Sequence, residues 1–560
     1  MERKMKSKTR RILSIGSAAI LSLSFFVPMA QAAETSNPVN LTPPKEISSG
    51  YALPFTGLKS APFTTPINMV NLLVSPESGV TGDKFKITGT TLPVNTPLTL
   101  VWATNDATWV TDVQPNTVNY MGVSRTKYFV DIATIKTDSS GNFVYEGKIP
   151  ADFGALHDIY AVMSGVAVGH GAAQVARSFK ITPKSGPIGT LITVEYTGLG
   201  SDVYGAGAAL LYDNKYAGQM LARWTRGTAR ATITATGPVG KHWIQAHAAI
   251  NFSYLNIIQS PNPFGFPGAE AFTVTKDPGI QKPTVVYPPT ATPTVEQRTL
   301  LSNAGLNPAT TAAMSLSNGS GPVLSKTTVK VTGLSTKGTH NIVWSTVTGN
   351  RFNCTTGTCW VYNPIPLANA EVIDGTLSSE VTIPDHLGGW HVIQVKQDNV
   401  IQAQASFYVK QSIMPQLDKN GKVASMGIAS FDPRRTPEVL AKGQAGVPKT
   451  SFKEGEEFTI SVKGVGWTQM DNTLALTYDN AYIGYGCGFN SNGYVVFRLR
   501  ATGGPGTHVI NLRPLMYTPQ PSFANTPFGL VPMLTWDKDF PGLALGYQIP
   551  MMTFMINIKK

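Results

Sequence analysis

Apolar and polar residues alternate with a period of two in short stretches that follow one another along most of the chain. Examples are residues 85–88 (Phe-Lys-Ile-Thr), 192–196 (Ile-Thr-Val-Glu-Tyr) and 329–332 (Val-Lys-Val-Thr). Successive side chains of a β-strand point to opposite faces of its sheet, so this alternation predicts strands with one buried face. Glycines and prolines separate the stretches, and few windows beyond residue 32 show helical periodicity. The pattern therefore predicts an all-β chain.

The predicted strands belong to a repeat. Residues 189–244 align without a gap with residues 455–510 at a constant shift of 266 positions. Among the identities is a Tyr-Asp-Asn triplet, at 212–214 and again at 478–480. Asp-Asn between two apolar strands is typical of a hairpin turn, and one carboxylate falls far short of a calcium site. Self-similarity over this length predicts repeated domains.

Four units share one succession of features: a strand that ends near glycine, a central apolar strand, a strand that opens on histidine and a closing strand that contains phenylalanine. The histidines are His157, His242, His391 and His508, and the phenylalanines are Phe179, Phe272, Phe407 and Phe554. The size and strand spacing of each unit are those of an immunoglobulin-like β-sandwich. In such sandwiches a tyrosine near this strand bonds to the backbone, so we interpret each histidine as taking that corner rather than as a metal ligand.

The units are of two types. Units 1 and 3 carry a tryptophan on the central strand, Trp102 and Trp344, whereas units 2 and 4 carry the Tyr-Asp-Asn triplet. We therefore predict a tandem array of four sandwiches in the order A-B-A-B. The predicted divisions are a signal peptide (1–32), a Pro-rich lead (33–67), unit 1 (68–181, type A), unit 2 (182–277, type B), a Pro-rich linker (278–312), unit 3 (313–411, type A), a second linker (412–450) and unit 4 (451–560, type B).

The openings of units 1 and 2 carry a shared motif. Residues 76–82 and 183–189 both fit Pro-x-Ser-Gly-x-x-Gly followed by a strand, unit 3 keeps only Ser-Gly-Pro at 320–322, and unit 4 lacks the motif. The motif resembles that of the IPT/TIG group of immunoglobulin-like domains. The resemblance implies a β-sandwich used for binding, spacing or display, as is common in bacterial surface and extracellular proteins. It implies no catalytic residues.

The N-terminus has the layout of a secretory signal peptide. A basic segment (1–11) precedes a mostly apolar one (12–27), and Ala-Gln-Ala at 30–32 offers a cleavage site. An uncleaved membrane anchor is the alternative, but the apolar segment is short and contains several serines. We therefore expect a secreted, extracellular protein, in part associated with the cell surface, with no membrane insertion after signal removal.

The net charge and the sequence motifs limit the classes of binding partner. Removal of residues 1–32, which contain six positive charges and Glu2, lowers the formal net charge from +12 to +7. This balance favours anionic surfaces only weakly, and the absence of long Lys/Arg runs and of known motifs argues against nucleic acid. The expected partner is a cell-wall polymer, a polysaccharide or a protein, and self-assembly is a further option.

The chain contains three cysteines. Cys354 and Cys359 flank a turn-prone Thr-Thr-Gly-Thr, which predicts a disulfide worth about 2 kcal/mol in an exported protein. Zinc is disfavoured because two sulfurs are half of a tetrahedral shell. Cys487 is interpreted as a buried small residue, with intermolecular pairing as the alternative.

Catalytic signatures are missing from the sequence. It contains no Gly-x-Ser-x-Gly elbow, no P-loop, no dinucleotide fingerprint and no His-Glu-x-x-His. We therefore predict a non-catalytic surface or matrix protein that binds, spaces or displays, without cofactor or metal. The alternative is a carbohydrate-binding accessory protein, because exposed aromatic residues in the loops of units 2 and 4 would suit sugar rings or a protein partner. The other interpretation of these side chains is that they seal the sandwich end or the joint between type A and type B units. These candidate ligand residues are Tyr254, Phe264, Tyr517, Phe528, Trp536 and Tyr547.

Overall fold

The computed structural model describes the following parts of the chain: 46–47, 63–114, 117–201, 207–222, 225–248, 253, 255, 258, 268–288, 306–349, 360–436, 439, 446–467, 471–488, 491–518, 529–535 and 547–559. Within these ranges, strands β1–β39 form nine sheets. The all-β prediction is confirmed. No helix in the described ranges is both long enough and apolar enough to cross a membrane.

The first sandwich packs a large sheet against a three-stranded one. Its strands are β1 (Glu46–Ile47), β2 (Val70–Asn71), β3 (Leu73–Ser75), β4 (Ser78–Val80), β5 (Lys84–Gly89), β6 (Pro97–Gln114), β7 (Thr117–Lys136), β8 (Phe143–Lys148), β9 (Ala155–Met163) and β10 (Val166–Ala176). The large sheet has the order β1-β6-β9-β10-β2, with β4 on β10 and β7 on β6, and the small one is β3-β5-β8. Apolar side chains from both sheets, including Phe85 and Trp102, fill the space between them.

The second sandwich begins at once. Its strands are β11 (Ser178–Thr182), β12 (Ser185–Gly186), β13 (Leu191–Thr197), β14 (Gly207–Tyr212), β15 (Lys215–Leu221), β16 (Ala229–Thr234), β17 (Gly240–Ala248) and β18 (Gly268–Val274). Sheet β11-β13-β16 faces sheet β12-β18-β17-β14-β15 across an apolar core. The prediction that Phe179 closes unit 1 is wrong, because Phe179 lies on β11 and pairs with Tyr196 of β13. Only Arg177 separates β10 from β11, so no break in the sequence marks the boundary.

The third sandwich repeats this arrangement. The next strands along the chain are β19 (Thr284–Val286), β20 (Ala313–Leu316), β21 (Ser320–Pro322), β22 (Lys326–Thr332), β23 (Gly338–Gly349), β24 (Trp360–Val372), β25 (Thr376–Thr382), β26 (Gly389–Gln397) and β27 (Val400–Lys410). Sheet β20-β22-β25 faces sheet β21-β27-β26-β23-β24. Trp344 and Phe407 lie in the core between the two sheets.

The fourth sandwich uses the remaining strands. They are β28 (Ser412–Ile413), β29 (Gln416–Leu417), β30 (Val423–Ser425), β31 (Ile428–Ser430), β32 (Ser451–Phe452), β33 (Glu457–Lys463), β34 (Thr473–Tyr478), β35 (Ala481–Cys487), β36 (Val495–Arg500), β37 (Gly506–Thr518), β38 (Gly529–Pro532) and β39 (Met551–Ile558). The large sheet has the order β19-β39-β37-β34-β35, with β32 on β39 and β38 on β37. The small sheet is β28-β33-β31 with β36 on β33, and β29 and β30 form a separate hairpin.

Both predicted linkers contribute strands to this fourth sandwich. Strand β19, from the 278–312 segment, pairs antiparallel with β39. Strands β28 and β31, from the 412–450 segment, pair with β33. Prolines flank these short apolar runs rather than interrupt them, which is compatible with edge strands. The prediction that the two segments are only spacers is therefore wrong for these residues.

The two sandwich types differ in the hairpin that follows the central strand. In units 1 and 3, β6 pairs with β7 and β23 with β24 along their whole lengths. At about 3.3 Å per residue, β6 extends over about 60 Å, whereas only its first part, 99–102, pairs with β9. In units 2 and 4 the hairpin is short, and Asp213, Asn214, Asp479 and Asn480 have φ between 48° and 62°. Two successive positive φ values are those of a type I′ turn, which confirms the turn interpretation of Tyr-Asp-Asn.

Candidate functional site

The four repeated histidines form one structural motif. In each of them Nε2 donates a hydrogen bond to a backbone carbonyl four residues earlier in the chain. The acceptors of His157, His242, His391 and His508 are the carbonyl oxygens of Phe153, Pro238, Leu387 and Gly504, at 2.7, 2.8, 3.0 and 2.9 Å. Each ring also lies against the aromatic residue of the central strand, at centroid distances of 4.6 to 5.6 Å. The corner interpretation is confirmed, since all four rings are held inside their own sandwiches.

The second ring nitrogen distinguishes the two types of unit. In type A units Nδ1 faces a backbone carbonyl, at 3.3 Å for His391 and Ser345. In type B units it faces the turn carboxylate, at 2.6 Å for His508 and Asp479. Burial lowers the pKa of His391 to about 4, and the surrounding carbonyls offset this only in part. Burial also opposes a charge on His508, but the Asp479 carboxylate outweighs it, so the pKa of His508 is raised.

Asp479 also connects unit 4 to unit 2. Its Oδ2 accepts the bond from His508, and its Oδ1 accepts a bond of 2.6 Å from the hydroxyl of Thr236. The order is hydroxyl, carboxylate, imidazole, whereas nucleophilic catalysis needs the imidazole next to the hydroxyl. The other imidazole nitrogen is occupied by the Gly504 carbonyl. The imidazole is therefore not placed to take the proton of the hydroxyl, and the cluster links the two units through the carboxylate.

The surrounding contact folds the array back on itself. Asn480 donates from Nδ2 to the carbonyl of Thr234 at 2.7 Å, and the hydroxyl of Thr234 donates to Asn511 at 3.1 Å. Three apolar side chains of unit 4 are part of the core cluster of unit 2: Val509, Leu534 and Met555. The rings of Tyr216 and Tyr482, which occupy equivalent positions in the repeat, lie 6.5 Å apart. Units 2 and 4 are thus held together by both apolar packing and buried hydrogen bonds.

Each type A unit meets the following type B unit through the same backbone bonds. The amide of Gly154 donates to the carbonyl of Leu199 at 2.7 Å, and the amide of Gly388 donates to that of Val465 at 3.0 Å. Leu199 and Val465 in turn bond to the next glycine loop of the type B unit, at Gly227 and Gly493. A Cβ atom at Gly154 would lie 1.7 Å from the carbonyl oxygen of Gly198, and one at Gly388 would lie 1.6 Å from that of Gly464. Both joints therefore require glycine.

Side-chain chemistry differs between the two joints. Between units 1 and 2, Arg226 is fully buried and donates to the hydroxyl of Thr104 and the carbonyl of Asn105, at 2.9 and 2.8 Å. Asp152 accepts bonds from Trp102 and Thr104 at the same place, both at 2.9 Å. A buried charge is tolerated only with partners, and here unit 1 supplies acceptors for the guanidinium of unit 2. Between units 3 and 4, the joint instead carries a bond of 2.7 Å from Lys463 to Asp385.

Of the six predicted ligand residues, the structure describes Tyr547 in full and Tyr517 in its backbone. Tyr547 is 2% exposed and packs against Tyr408 in the core of unit 4, so its ring is not at the surface. The backbone of Tyr517 lies on β37. The remaining candidates, Tyr254, Phe264, Phe528 and Trp536, lie outside the described residues, as do the signal peptide and the predicted disulfide of Cys354 and Cys359.

Two further candidate chemistries concern thiols and metals. Cys487 lies at the end of β35 as a free, half-buried thiol. Among the described residues, no group of three or more His, Cys, Asp or Glu side chains is placed to hold a metal ion. Sequence patterns assigned no role to Arg226, Asp152 or Thr236. The partners of Arg226 and Thr236 lie in another unit, and the side chains that donate hydrogen bonds to Asp152 lie about 50 positions away along the chain.

Comparison with known proteins gives weak similarity to several solved structures. No family model matches the chain, and no curated protein matches it. An Escherichia coli adhesin is 12% identical over 63% of this chain and 99% of its own, with a TM-score of 0.14. Invasin, a bacterial integrin-binding protein, is 11% identical over 90% of this chain and 79% of its own, with a TM-score of 0.17. A putative membrane anchored protein from Corynebacterium diphtheriae is 13% identical over 61% and 89%, with a TM-score of 0.16. At these scores, the assignment of the sandwiches depends on the sheets themselves.

The contact between units 2 and 4 predicts unequal effects of one substitution at equivalent positions. Thr236→Val removes the hydroxyl that bonds to buried Asp479, and we expect it to destabilise the contact by about 1 to 3 kcal/mol. Thr502→Val, at the equivalent exposed position, should have little effect. Hydrogen–deuterium exchange of 229–236 and 473–480 measures both variants. Equal protection in the two variants would contradict the role of Thr236.

The glycine joints predict a second asymmetry. Gly154→Ala and Gly388→Ala each drive a Cβ into a backbone carbonyl, which should cost about 1 to 3 kcal/mol through forced movement of the backbone. Gly319→Ala is the control, because a Cβ there meets no atom within 4 Å. Limited proteolysis and thermal unfolding of the mature chain report the result. Unchanged stability in the joint variants would show that the sandwiches are not held as described.

The histidine corners predict opposite pH responses in units 3 and 4. Because the pKa of His391 is lowered from 6.5 to about 4, its stabilising effect is lost as the pH falls through this window, by at most about 1.4 kcal/mol per pH unit. Because the pKa of His508 is raised, its contribution is complete below pH 6.5 and is lost as the pH rises through the folded value. Hydrogen–deuterium exchange of β26 and β37 measures these effects. His391→Gln should reduce the loss of stability of unit 3 at acid pH, and His508→Gln should destabilise unit 4 more at acid pH than at neutral pH. The same sign in both units would refute the assignment.

Proposed function

We propose that this chain is an exported, non-catalytic surface or matrix protein that binds, spaces or displays through its β-sandwiches. The single observation that carries the proposal is the buried contact between units 2 and 4, centred on Asp479 and Thr236. A flexible string of domains needs no such contact, whereas a protein that holds its outer faces at fixed spacing does. The basic and apolar segments at the N-terminus support export.

The proposal includes an origin of the array as a duplicated A-B module. The matching bonds of Gly154 and Gly388 at the two joints support this duplication, as does the 266-residue shift between units 2 and 4. The Pro-x-Ser-Gly-x-x-Gly motif supports an IPT/TIG-like character for the first two units. In this proposal the type B units, which contact each other, form the central frame, and each type A unit carries one long hairpin, β6–β7 or β23–β24.

The proposed partner is an extracellular polymer or protein. The buried polar groups described at the corners and joints already have partners within the fold, so recognition is left to outer sheet faces, hairpins and loops. The aromatic loops of units 2 and 4 stay within this proposal as ligand contacts through Tyr254, Phe264, Tyr517, Phe528 and Trp536. Tyr547 supports that region from inside, since its ring packs in the core.

Co-sedimentation tests the proposal directly. Mature residues 33–560 should pellet with purified cell walls and remain soluble in a protein-only tube. Gly319→Ala should pellet like the wild type, while Thr236→Val should pellet less because the spacing of the sandwiches is loosened. Protein that stays soluble in both tubes would overturn the wall-binding role. Pelleting without walls would replace wall binding by self-assembly as the mechanism.

A further inference from the structure

The outer face of the small sheet in unit 1 carries an unusual arrangement of charge. On this sheet, β3-β5-β8, the residues Lys84, Lys86 and Lys148 are exposed and point away from the core. Lys84 pairs directly opposite Lys148 in the register of β5 and β8. Like charges placed opposite each other destabilise a sheet. An arrangement that costs stability calls for a functional explanation.

The three positive charges exceed the acidic charge on this face. In the described part of the chain, no carboxylate forms an ion pair with any of the three lysines. Glu146, which stands opposite Lys86, is the one acidic residue among those that line the cavity on this face. The three amines and Ser75 line a shallow cavity of about 430 Å³ on this face.

The equivalent small sheets of the other units serve as internal controls. In unit 2, Glu195 lies between Lys180 and Arg230 in the register, and it pairs with Arg230 at 2.8 Å. In unit 3, Lys326 pairs with Glu380 at 2.6 Å. In unit 4, Arg498 and Arg500 share Glu457, at 2.8 and 2.7 Å. Each of these sheets pairs at least one of its cations with an acid, whereas among the described residues no ion pair forms with Lys84, Lys86 or Lys148. A small sheet whose outer cations all lack an ion pair is therefore a property of unit 1 rather than of the fold.

We infer that the face formed by Lys84, Lys86 and Lys148 binds an anionic extracellular polymer through its phosphate or carboxylate groups, an inference that rests on the proposed surface function. Side chains directly opposite each other on neighbouring strands are about 5 Å apart, and those two positions apart on one strand are about 7 Å apart. Three amines within this area match one phosphate or two successive carboxylates. Flexible lysines suit a repeating polymer, because each ammonium acts as a point charge without demanding one fixed geometry.

A direct binding experiment tests the inference. The probes are polyphosphate and polygalacturonate, which distinguish phosphate from carboxylate recognition, with neutral dextran as the blank. The Lys84→Ser/Lys86→Ser/Lys148→Ser variant should lose affinity by about 10-fold or more, and the slope of log affinity against log salt should fall by about 2. The control variant Lys180→Ser/Lys330→Ser/Lys241→Ser removes the same charge from exposed positions elsewhere and should bind normally. Equal losses in the two variants would mean that only net charge matters, and would overturn the inference.

A single substitution separates binding from folding. Lys148→Glu removes the like-charge pair and places a carboxylate opposite Lys84, so thermal stability should rise while polyanion binding falls. Loss of both would indicate a damaged sheet and would contradict the inference.

The proposed function is judged separately by cell-wall co-sedimentation. If the triple variant pellets with walls as well as the wild type does, the lysine face is refuted and the proposed surface function stands. If the wild type binds purified polyanions but does not pellet with walls, the lysine face stands and the wall-binding role is refuted.

Discussion

The buried carboxylate of Asp479 is the interaction on which the arrangement of this protein depends. It accepts bonds from the ring of His508, from the amide of Val509 and from the hydroxyl of Thr236. The first two stabilise unit 4 itself, because they tie the hairpin turn to the histidine strand. The third joins unit 4 to unit 2. Burial of the carboxylate opposes its charge, but these three bonds outweigh that cost, and the pKa of Asp479 is lowered.

The equivalent carboxylate in unit 2, Asp213, differs from Asp479 by a single hydrogen bond. Asp213 makes the same two bonds within its own unit, to His242 and to the amide of Trp243, and its side chain stays 37% exposed. The side chain of Asp479 is only 13% exposed. The contact between units therefore uses a carboxylate that the corner already orients, and it supplies one more donor. Because the acceptor is held in place beforehand, the additional bond costs little conformational entropy.

Features within one unit were predictable from the sequence, and features between units were not. Period-two alternation predicted the strands, and the Asp-Asn dipeptides predicted turns with positive φ, because both depend on neighbours in the chain. Strands of two or three residues, such as β19 and β28, leave no pattern, so they were assigned to linkers. Tyr547 belongs to a segment rich in aromatic residues and prolines, which is typical of an exposed loop, but its side chain lies in the core. Asp213 and Asp479 sit in identical triplets, and only the folded array makes one exposed and the other buried.

The same division explains where recognition has room to occur. The corner histidines, Asp479 and the joint glycines have partners within the fold, and a change there is felt as lost stability. The outer faces of the small sheets are free of this constraint, and in units 2, 3 and 4 an acid, Glu195, Glu380 or Glu457, forms an ion pair with at least one cation of the face. In unit 1 the opposed lysines Lys84 and Lys148 raise the energy of the folded sheet and gain nothing inside it. A penalty on a surface that is otherwise free to vary is most simply balanced outside the molecule, by the charge of whatever lies against that face.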